Sequence, residues 1–131
     1  MLKNIPELAK SISNSGITHA FGIPGGGTSL ELIDSLHKIN IPFYRTHHEA
    51  SAAIMAGTVG RLSGNPGLAI SIKGPGLTNM LPGISLCHFE NFPLLAICES
   101  YDENSPKLIG HKGVNQDKLV NTISKGSYYY N

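Results

Sequence analysis

Glu49 is the residue of this sequence best placed to do proton chemistry. It follows His47 and His48 at the end of a predicted strand and opens a run of small residues. A carboxyl at the head of such a helix is held in a crowded place, because small side chains let another backbone come very close. We therefore take Glu49 as the candidate catalytic residue and ask which elements position it.

The helix that Glu49 opens has one face without bulk. Ala52, Ala56 and Gly60 recur at four-residue spacing, so they share one side of the helix. A bare helix face makes a close interface between subunits. We expect this face to pack against a second copy of the chain.

Two glycine turns accompany Glu49, namely Pro24-Gly25-Gly26-Gly27 and Gly74-Pro75-Gly76. The first could cradle a phosphate at a helix N-terminus, although it lacks the spacings of dinucleotide and phosphate loops. Taken alone, each is equally a plain turn between a strand and a helix. Both turns and Glu49 follow predicted strands, and ligands of parallel sheets bind beyond the carboxyl ends of the strands. We expect the three features to converge on one rim.

The histidines and Lys73 give weaker signals. His47 and His48 are neighbours on an extended segment and point to opposite faces, so they cannot both hold one metal ion. We expect one of them in the core and the other on the rim, and no metal site in this chain. Lys73 could equally meet an anion or be solvated.

Predicted helices and strands alternate along the whole chain. We expect a three-layer α/β/α fold around a mainly parallel, doubly wound sheet. Thr28 is the predicted N-cap of the second helix, with Glu31 completing a capping box. Residues 99–112 are polar and irregular. The predicted helices are 4–15, 28–36, 49–62, 77–88 and 116–123, and the predicted strands are 17–22, 41–46, 68–72, 92–98 and a short start at 128–130.

Composition narrows the class of protein. The 131 residues suit a single domain, 1–131, and the formal charge of +1 gives no reason to expect nucleic acid as a partner. The sequence has no membrane-length apolar span and no signal-peptide pattern, so we expect no membrane partner. Cys87 and Cys98 have neither metal-site nor disulfide-framework spacing, and we expect a cytoplasmic location.

Several segments in this order carry a resemblance to a known family. They are Phe21-Gly22-Ile23-Pro24-Gly25-Gly26, His48-Glu49-Ala50, Gly64-Asn65-Pro66-Gly67, Gly74-Pro75-Gly76 with Thr78-Asn79, and Phe92-Pro93-Leu94-Leu95-Ala96-Ile97. From about Glu7 to about Tyr130, the chain resembles the N-terminal, pyrimidine-binding domain of thiamine-diphosphate enzymes. The group in question comprises acetolactate synthases, pyruvate oxidases and 2-oxoacid decarboxylases.

The resemblance implies a role for each matching residue. Glu49 would engage the aminopyrimidine of thiamine diphosphate and activate it for ylid formation. Pro24, Gly25 and Gly26 would lie near the reactive end of the cofactor. Three further residues would complete the cofactor site: Pro75 and Asn79 around the pyrimidine, and Gln116 facing the active centre.

The resemblance also implies what surrounds this domain. The substrate would be a 2-oxoacid, and Mg²⁺ and the diphosphate would be held by a diphosphate-binding domain or subunit outside this chain. The chain would be a C-terminally truncated fragment or one subunit of a split enzyme, inactive by itself and part of a homo-oligomer. Lys73 and Ile23 depart from the residues usual in acetolactate synthases, so no particular substrate is carried over.

Two alternatives remain open from the sequence. One is a non-catalytic relative that keeps only the fold, although retention of Glu49 argues against it. The other is an unrelated phosphate- or nucleotide-binding α/β module, against which the absent loop spacings argue.

Overall fold

The computed structural model describes residues 4–101 and 111–130, so most of the predicted irregular stretch lies outside the described residues. The strands are β1 (Ala20–Ile23), β2 (Phe43–Arg45), β3 (Gly67–Ser71) and β4 (Leu94–Cys98). They form one parallel sheet in the order β2-β1-β3-β4. The helices are α1 (Ile5–Asn14), α2 (Thr28–Lys38), α3 (Glu49–Ser63), α4 (Pro75–Phe89) and α5 (Gln116–Val120).

The sheet is covered on both faces, since successive side chains of β3 lie in two separate cores. Leu68 and Ile70 pack with α1 and α2, whereas Ala69 packs with α3 and α4. All five residues of β3 are buried, as a strand covered on both faces requires. The predicted three-layer α/β/α fold is confirmed.

The ends of α3 follow from local chemistry. The Nδ1 atom of His48 accepts a hydrogen bond from the backbone N–H of Ala50, which caps the helix start. Gly64 ends the helix with a left-handed φ of 78°, a conformation that costs glycine nothing. The predicted helix 49–62 is therefore right to within one residue. None of the helices in the described segments has the length and apolar character needed to cross a membrane.

Several other bounds differ from the prediction. Ile17 and Ile41 are buried in the core, but the strands that follow them begin only at Ala20 and Phe43. Burial of apolar side chains therefore begins before the strands start to pair. The hydrophobic pattern alone does not distinguish a buried residue from a paired one. The helix predicted for 116–123 ends at Val120, and the strand predicted to begin at Tyr128 is wrong, since residues 128–130 are exposed and have no strand structure.

The small-residue face of α3 is used inside the domain. Ala52 and Ala56 have no exposed surface, and a Cβ added to Gly60 would overlap the carbonyl oxygen of Pro93. These small residues let α3 lie close to β3 and to the segment that enters β4. The expectation that this face packs against a second copy is wrong. The outward side of α3 carries Met55 and Leu62 instead.

Candidate functional site

The strand order places a crevice between β1 and β3. From β1 the chain moves outward to β2, then crosses back to β3 on the other side of β1. Such a reversal is where ligands of doubly wound sheets bind, beyond the carboxyl ends of the strands. Because α3 runs from the end of β2 back across β1 and β3, its first residue, Glu49, lies at this rim.

Glu49 is buried at the rim, with 7% of its surface exposed. The side-chain amide of Asn79 donates a hydrogen bond of 3.3 Å to its Oε2 atom. Asn79 lies one turn after Pro75 at the start of α4, and both residues are exposed. Within residues 4–101 and 111–130, the Glu49 carboxylate has no second hydrogen-bond partner, so Oε1 can accept a ligand.

The glycine turn after β1 combines a packed position with an open one. The N–H of Gly25 donates to Oγ of Ser29 at 2.8 Å. A Cβ added to Gly25 would lie 2.8 Å from Oε1 of Glu99, whereas one added to Gly26 would meet no atom within 4 Å. Pro24 is partly buried and Gly26 is exposed. The main chain at Gly26 is therefore open to a flat ligand.

Glu99 is a buried acid of the rim that the sequence analysis missed. Its Oε1 accepts hydrogen bonds from the backbone N–H of Ser29 at 3.1 Å and from the Ser29 hydroxyl at 2.6 Å. Its Oε2 lies 3.7 Å from Nζ of Lys73. The signal was present, because Glu99 directly follows β4 just as the other rim residues follow their strands.

Glu99 is both the partner of Lys73 and the anion at the N-terminus of α2. Lys73 meets an anion, the Glu99 carboxylate, and its Nζ also lies 4.8 Å from the centre of the Tyr101 ring. The predicted Thr28 capping box is wrong, since Gly27 is the N-cap and makes no side-chain cap. Glu99, which follows the edge strand β4, instead supplies the anion at the N-terminus of α2.

Gln116 connects two of the strand ends. Its Oε1 accepts from the N–H of Gly74 at 3.0 Å, and its Nε2 donates to the backbone oxygen of Glu99 at 3.1 Å. Both ends of the side-chain amide are thus engaged within the chain. In this arrangement Gln116 ties the turn after β3 to the end of β4.

The histidine expectation is wrong in one respect. His47 and His48 are both exposed, so neither lies in the core. His48 instead serves as the N-cap of α3, a role that was not predicted from its position beside His47. In the segments that the structure describes, no group of His, Cys, Asp and Glu side chains could hold a metal ion.

Cys98 ends β4 and Cys87 lies in α4, and both thiols are poor nucleophiles in the folded chain. The Cys98 sulfur lies 3.1 Å from Oγ of Ser71, and burial raises the pKa of Cys98 from 9.0 to about 11. Burial likewise raises the pKa of Cys87. Both thiols are therefore protonated at neutral pH, and a protonated thiol is a poor nucleophile.

The site residues expected from the sequence, together with Glu99 and its partners, thus fall into two groups at one rim. Glu49 and Asn79 form the first, with Pro75 one turn away. The second joins the Pro24–Gly27 turn to the ends of β3 and β4, and its members in contact are Gly25, Ser29, Lys73, Gly74, Glu99 and Gln116. Because Glu99 already occupies the N-terminus of α2, the phosphate cradle considered for this helix is filled from within.

Comparison with known proteins decides between the remaining interpretations. The sequence pattern of the family described as "Thiamine pyrophosphate enzyme, N-terminal TPP binding domain" matches residues 7–122. The chain belongs to this family. The non-catalytic relative and the unrelated phosphate- or nucleotide-binding module are not favoured.

Individual relatives agree with the family assignment. The TPP-binding domain is 28% identical to a catabolic acetolactate synthase of Raoultella terrigena over 118 residues, which are 90% of the chain and 21% of that relative. It is 31% identical to a 2-hydroxyacyl-CoA lyase of Arabidopsis thaliana over 90% of the chain and 20% of the relative. A probable 2-ketoarginine decarboxylase of Pseudomonas aeruginosa is 40% identical over 69% of the chain and 16% of the relative. The chain thus spans about a fifth of the length of these relatives.

Proposed function

We propose that this domain binds the aminopyrimidine of thiamine diphosphate in an enzyme that acts on a 2-oxoacid, with Glu49 activating the cofactor. One observation carries the proposal: a buried carboxylate stands at the rim where the strand order reverses. Its Oε2 is held by Asn79, and among residues 4–101 and 111–130 its Oε1 has no hydrogen-bond partner. A buried carboxylate costs free energy unless it is paired. A ring nitrogen that shares a proton with Oε1 would supply the missing partner.

The neighbouring residues fit a flat, polar ring. Asn79 fixes the orientation of the Glu49 carboxyl from α4, and exposed Pro75 lies one turn away on the same helix. The open main chain at Gly26 lets a ring approach the turn after β1. In this proposal Glu49, Pro75 and Asn79 hold the pyrimidine. Pro24, Gly25 and Gly26 lie near the reactive end of the cofactor, and Gln116 faces the active centre. Bound thiamine diphosphate would supply the carbanion chemistry, and the protein supplies orientation and one proton site.

The substrate class is proposed from the relatives. Two of them are described as a catabolic acetolactate synthase and a probable 2-ketoarginine decarboxylase, and both descriptions fit a 2-oxoacid substrate. We therefore propose a 2-oxoacid lyase, synthase or decarboxylase.

A second domain completes the proposed site. We propose that a diphosphate-binding domain or subunit holds Mg²⁺ and the diphosphate, since residues 4–101 and 111–130 offer no metal cluster. The domain then functions within a homo-oligomer in the cytoplasm. The side of α3 that bears Met55 and Leu62, rather than the small-residue face, is the part of this helix that can meet another chain.

A calorimetric titration tests the proposal. Thiamine diphosphate with Mg²⁺ is titrated into the protein assembled with its diphosphate-binding domain, and carbon dioxide release from pyruvate and longer 2-oxoacids is assayed on the same sample. We expect saturable binding and release that depends on both cofactor and 2-oxoacid. Absence of cofactor binding by the assembled protein would overturn the proposal.

A further inference from the structure

Glu99 is a buried charge to which the proposed function gives no role. Within the described residues, the buried acidic side chains are Glu49 and Glu99, and 8% of Glu99 is exposed. A buried carboxylate is costly unless charges and hydrogen bonds compensate it. The partners of Glu99 therefore show which segments its carboxylate holds in place.

The first set of partners reaches the glycine turn. The Gly25 N–H can only donate, so Ser29 Oγ accepts from it at 2.8 Å. The single hydroxyl proton of Ser29 then points to Oε1 of Glu99, which lies 2.6 Å away. The Glu99 carboxylate thereby fixes the direction of the whole relay and the orientation of the Gly25 amide.

The carboxylate also packs directly against the turn. A Cβ on Gly25 would lie 2.8 Å from Oε1 and 3.0 Å from Oε2 of Glu99. The carboxyl group therefore fills the space that a side chain at Gly25 would need. Gly25, the middle residue of the 24–26 turn assigned to the cofactor, thus packs against Glu99.

The second set of partners reaches the end of β3. Lys73 lies 3.7 Å from Oε2, and only 24% of its side chain is exposed, so solvent screens this pair less than a surface pair. Gln116 links the backbone oxygen of Glu99 to the N–H of Gly74. Glu99 therefore joins three strand ends, those of β1, β3 and its own β4.

We propose that Glu99 is a positioning residue that holds the Pro24–Gly26 turn in the geometry needed for cofactor binding, with Lys73 balancing its charge. This inference rests on the proposed function. Glu99 acts through Gly25 and Ser29 and does not touch the reacting atoms. Glutamine in its place keeps the shape but turns an N–H donor toward the relay or toward Lys73.

The test compares Glu99→Gln with Glu31→Gln, since Glu31 is an exposed acid in the first turn of the same helix α2. Amide hydrogen exchange of Gly25 is measured by NMR on the 131-residue chain without cofactor. The Kd of thiamine diphosphate with Mg²⁺ is measured on the assembled protein. We expect the exchange rate of the Gly25 amide and the Kd of the cofactor each to rise about tenfold in Glu99→Gln, as for other residues that orient a binding group. In Glu31→Gln both should stay within about twofold of the wild-type values.

Ser29→Ala provides the second variant, because it removes the relay while leaving the carboxylate paired with Lys73. If Glu99→Gln does not fold, Ser29→Ala must show the same two changes. A folded Glu99→Gln or Ser29→Ala variant whose cofactor Kd equals that of the wild type overturns the inference, whatever happens to the Gly25 amide. Failure of the wild type itself to bind the cofactor instead overturns the proposed function.

Discussion

Asn79 Nδ2 and Glu49 Oε2 are joined by a hydrogen bond of 3.3 Å that connects the second turn of α4 to the first residue of α3. The contact engages one carboxylate oxygen, while the other has no hydrogen-bond partner in the part of the chain that the structure describes. It also brings together two residues that are thirty positions apart in the chain. Their proximity depends on the close packing of α3 against α4, and the small residues of these two helices permit that close approach.

A double-mutant cycle measures this contact. Glu49→Ala and Asn79→Ala are made singly and together, because each removes the hydrogen bond, and the free energy of unfolding is measured with urea. We expect a coupling energy of about 1 kcal/mol, because the bond involves a charged acceptor but is long and partly exposed. The pair Glu31→Gln and Asn79→Ala shares no contact and should show no coupling. Equal coupling in both pairs would mean that Asn79 does not orient Glu49.

Gly25 and Gly26 should respond differently to the same substitution. Gly25→Ala drives a methyl group into the Glu99 carboxylate, so we expect a loss of about 1–3 kcal/mol in the free energy of unfolding. Gly26→Ala meets no neighbour and should change this free energy by less than about 0.5 kcal/mol. Its cofactor affinity in the assembled protein should nevertheless fall. Equal destabilisation by the two variants would contradict the arrangement of the turn.

Gly60 tests the inward orientation of the small-residue face. A side chain there overlaps the Pro93 carbonyl oxygen, a backbone atom that cannot move aside cheaply, so Gly60→Ala should cost about 2 kcal/mol or more. Arg61→Ala, next along α3 and exposed, should cost less than about 0.5 kcal/mol. Urea unfolding of both variants provides the measurement. A stable Gly60→Ala chain that fails only to associate would restore the interface hypothesis.

The Cys98 thiol should react slowly with iodoacetamide in the folded chain. Its pKa is raised from 9.0 to about 11, so at pH 8 the thiolate fraction is about 100-fold lower than in the unfolded chain. The rate should rise with pH up to about pH 11, since the neutral form is the one that burial favours. Mass spectrometry of Cys98 after timed labelling, with urea-unfolded chain as the reference, gives both rates. Similar rates in the two states would contradict the burial of this thiol.

The sequence predicted those parts of the molecule that depend on local pattern and chain order. The alternation of helices and strands predicted the three layers, and the His48-Glu49 sequence followed by small residues predicted where α3 begins. The convergence of strand ends on one rim follows from a parallel sheet, and the structure places Glu49, Gly25 and Gly74 at that end.

Long-range partners were beyond what the sequence could show. Thr28 and Glu31 have the spacing of a capping box, yet the anion at this helix end is Glu99, seventy residues away. The face of Ala52, Ala56 and Gly60 was recognised, but periodicity does not say whether such a face meets a sheet or another chain. Strand starts were predicted too early at Ile17 and Ile41, because burial and ladder pairing leave the same apolar signal.

The central claim is that the Glu49 carboxyl activates the bound cofactor, and proton exchange at the reactive carbon of its thiazolium ring reports this directly. Deuterium exchange at that carbon is followed by NMR after acid quench in the assembled protein, for the wild type, Glu49→Gln and Glu31→Gln. Removing a positioned acid–base group costs about 100-fold or more, so exchange should slow by that factor in Glu49→Gln alone, with cofactor still bound. Unchanged exchange in a Glu49→Gln protein that is saturated with cofactor would contradict the assignment of Glu49.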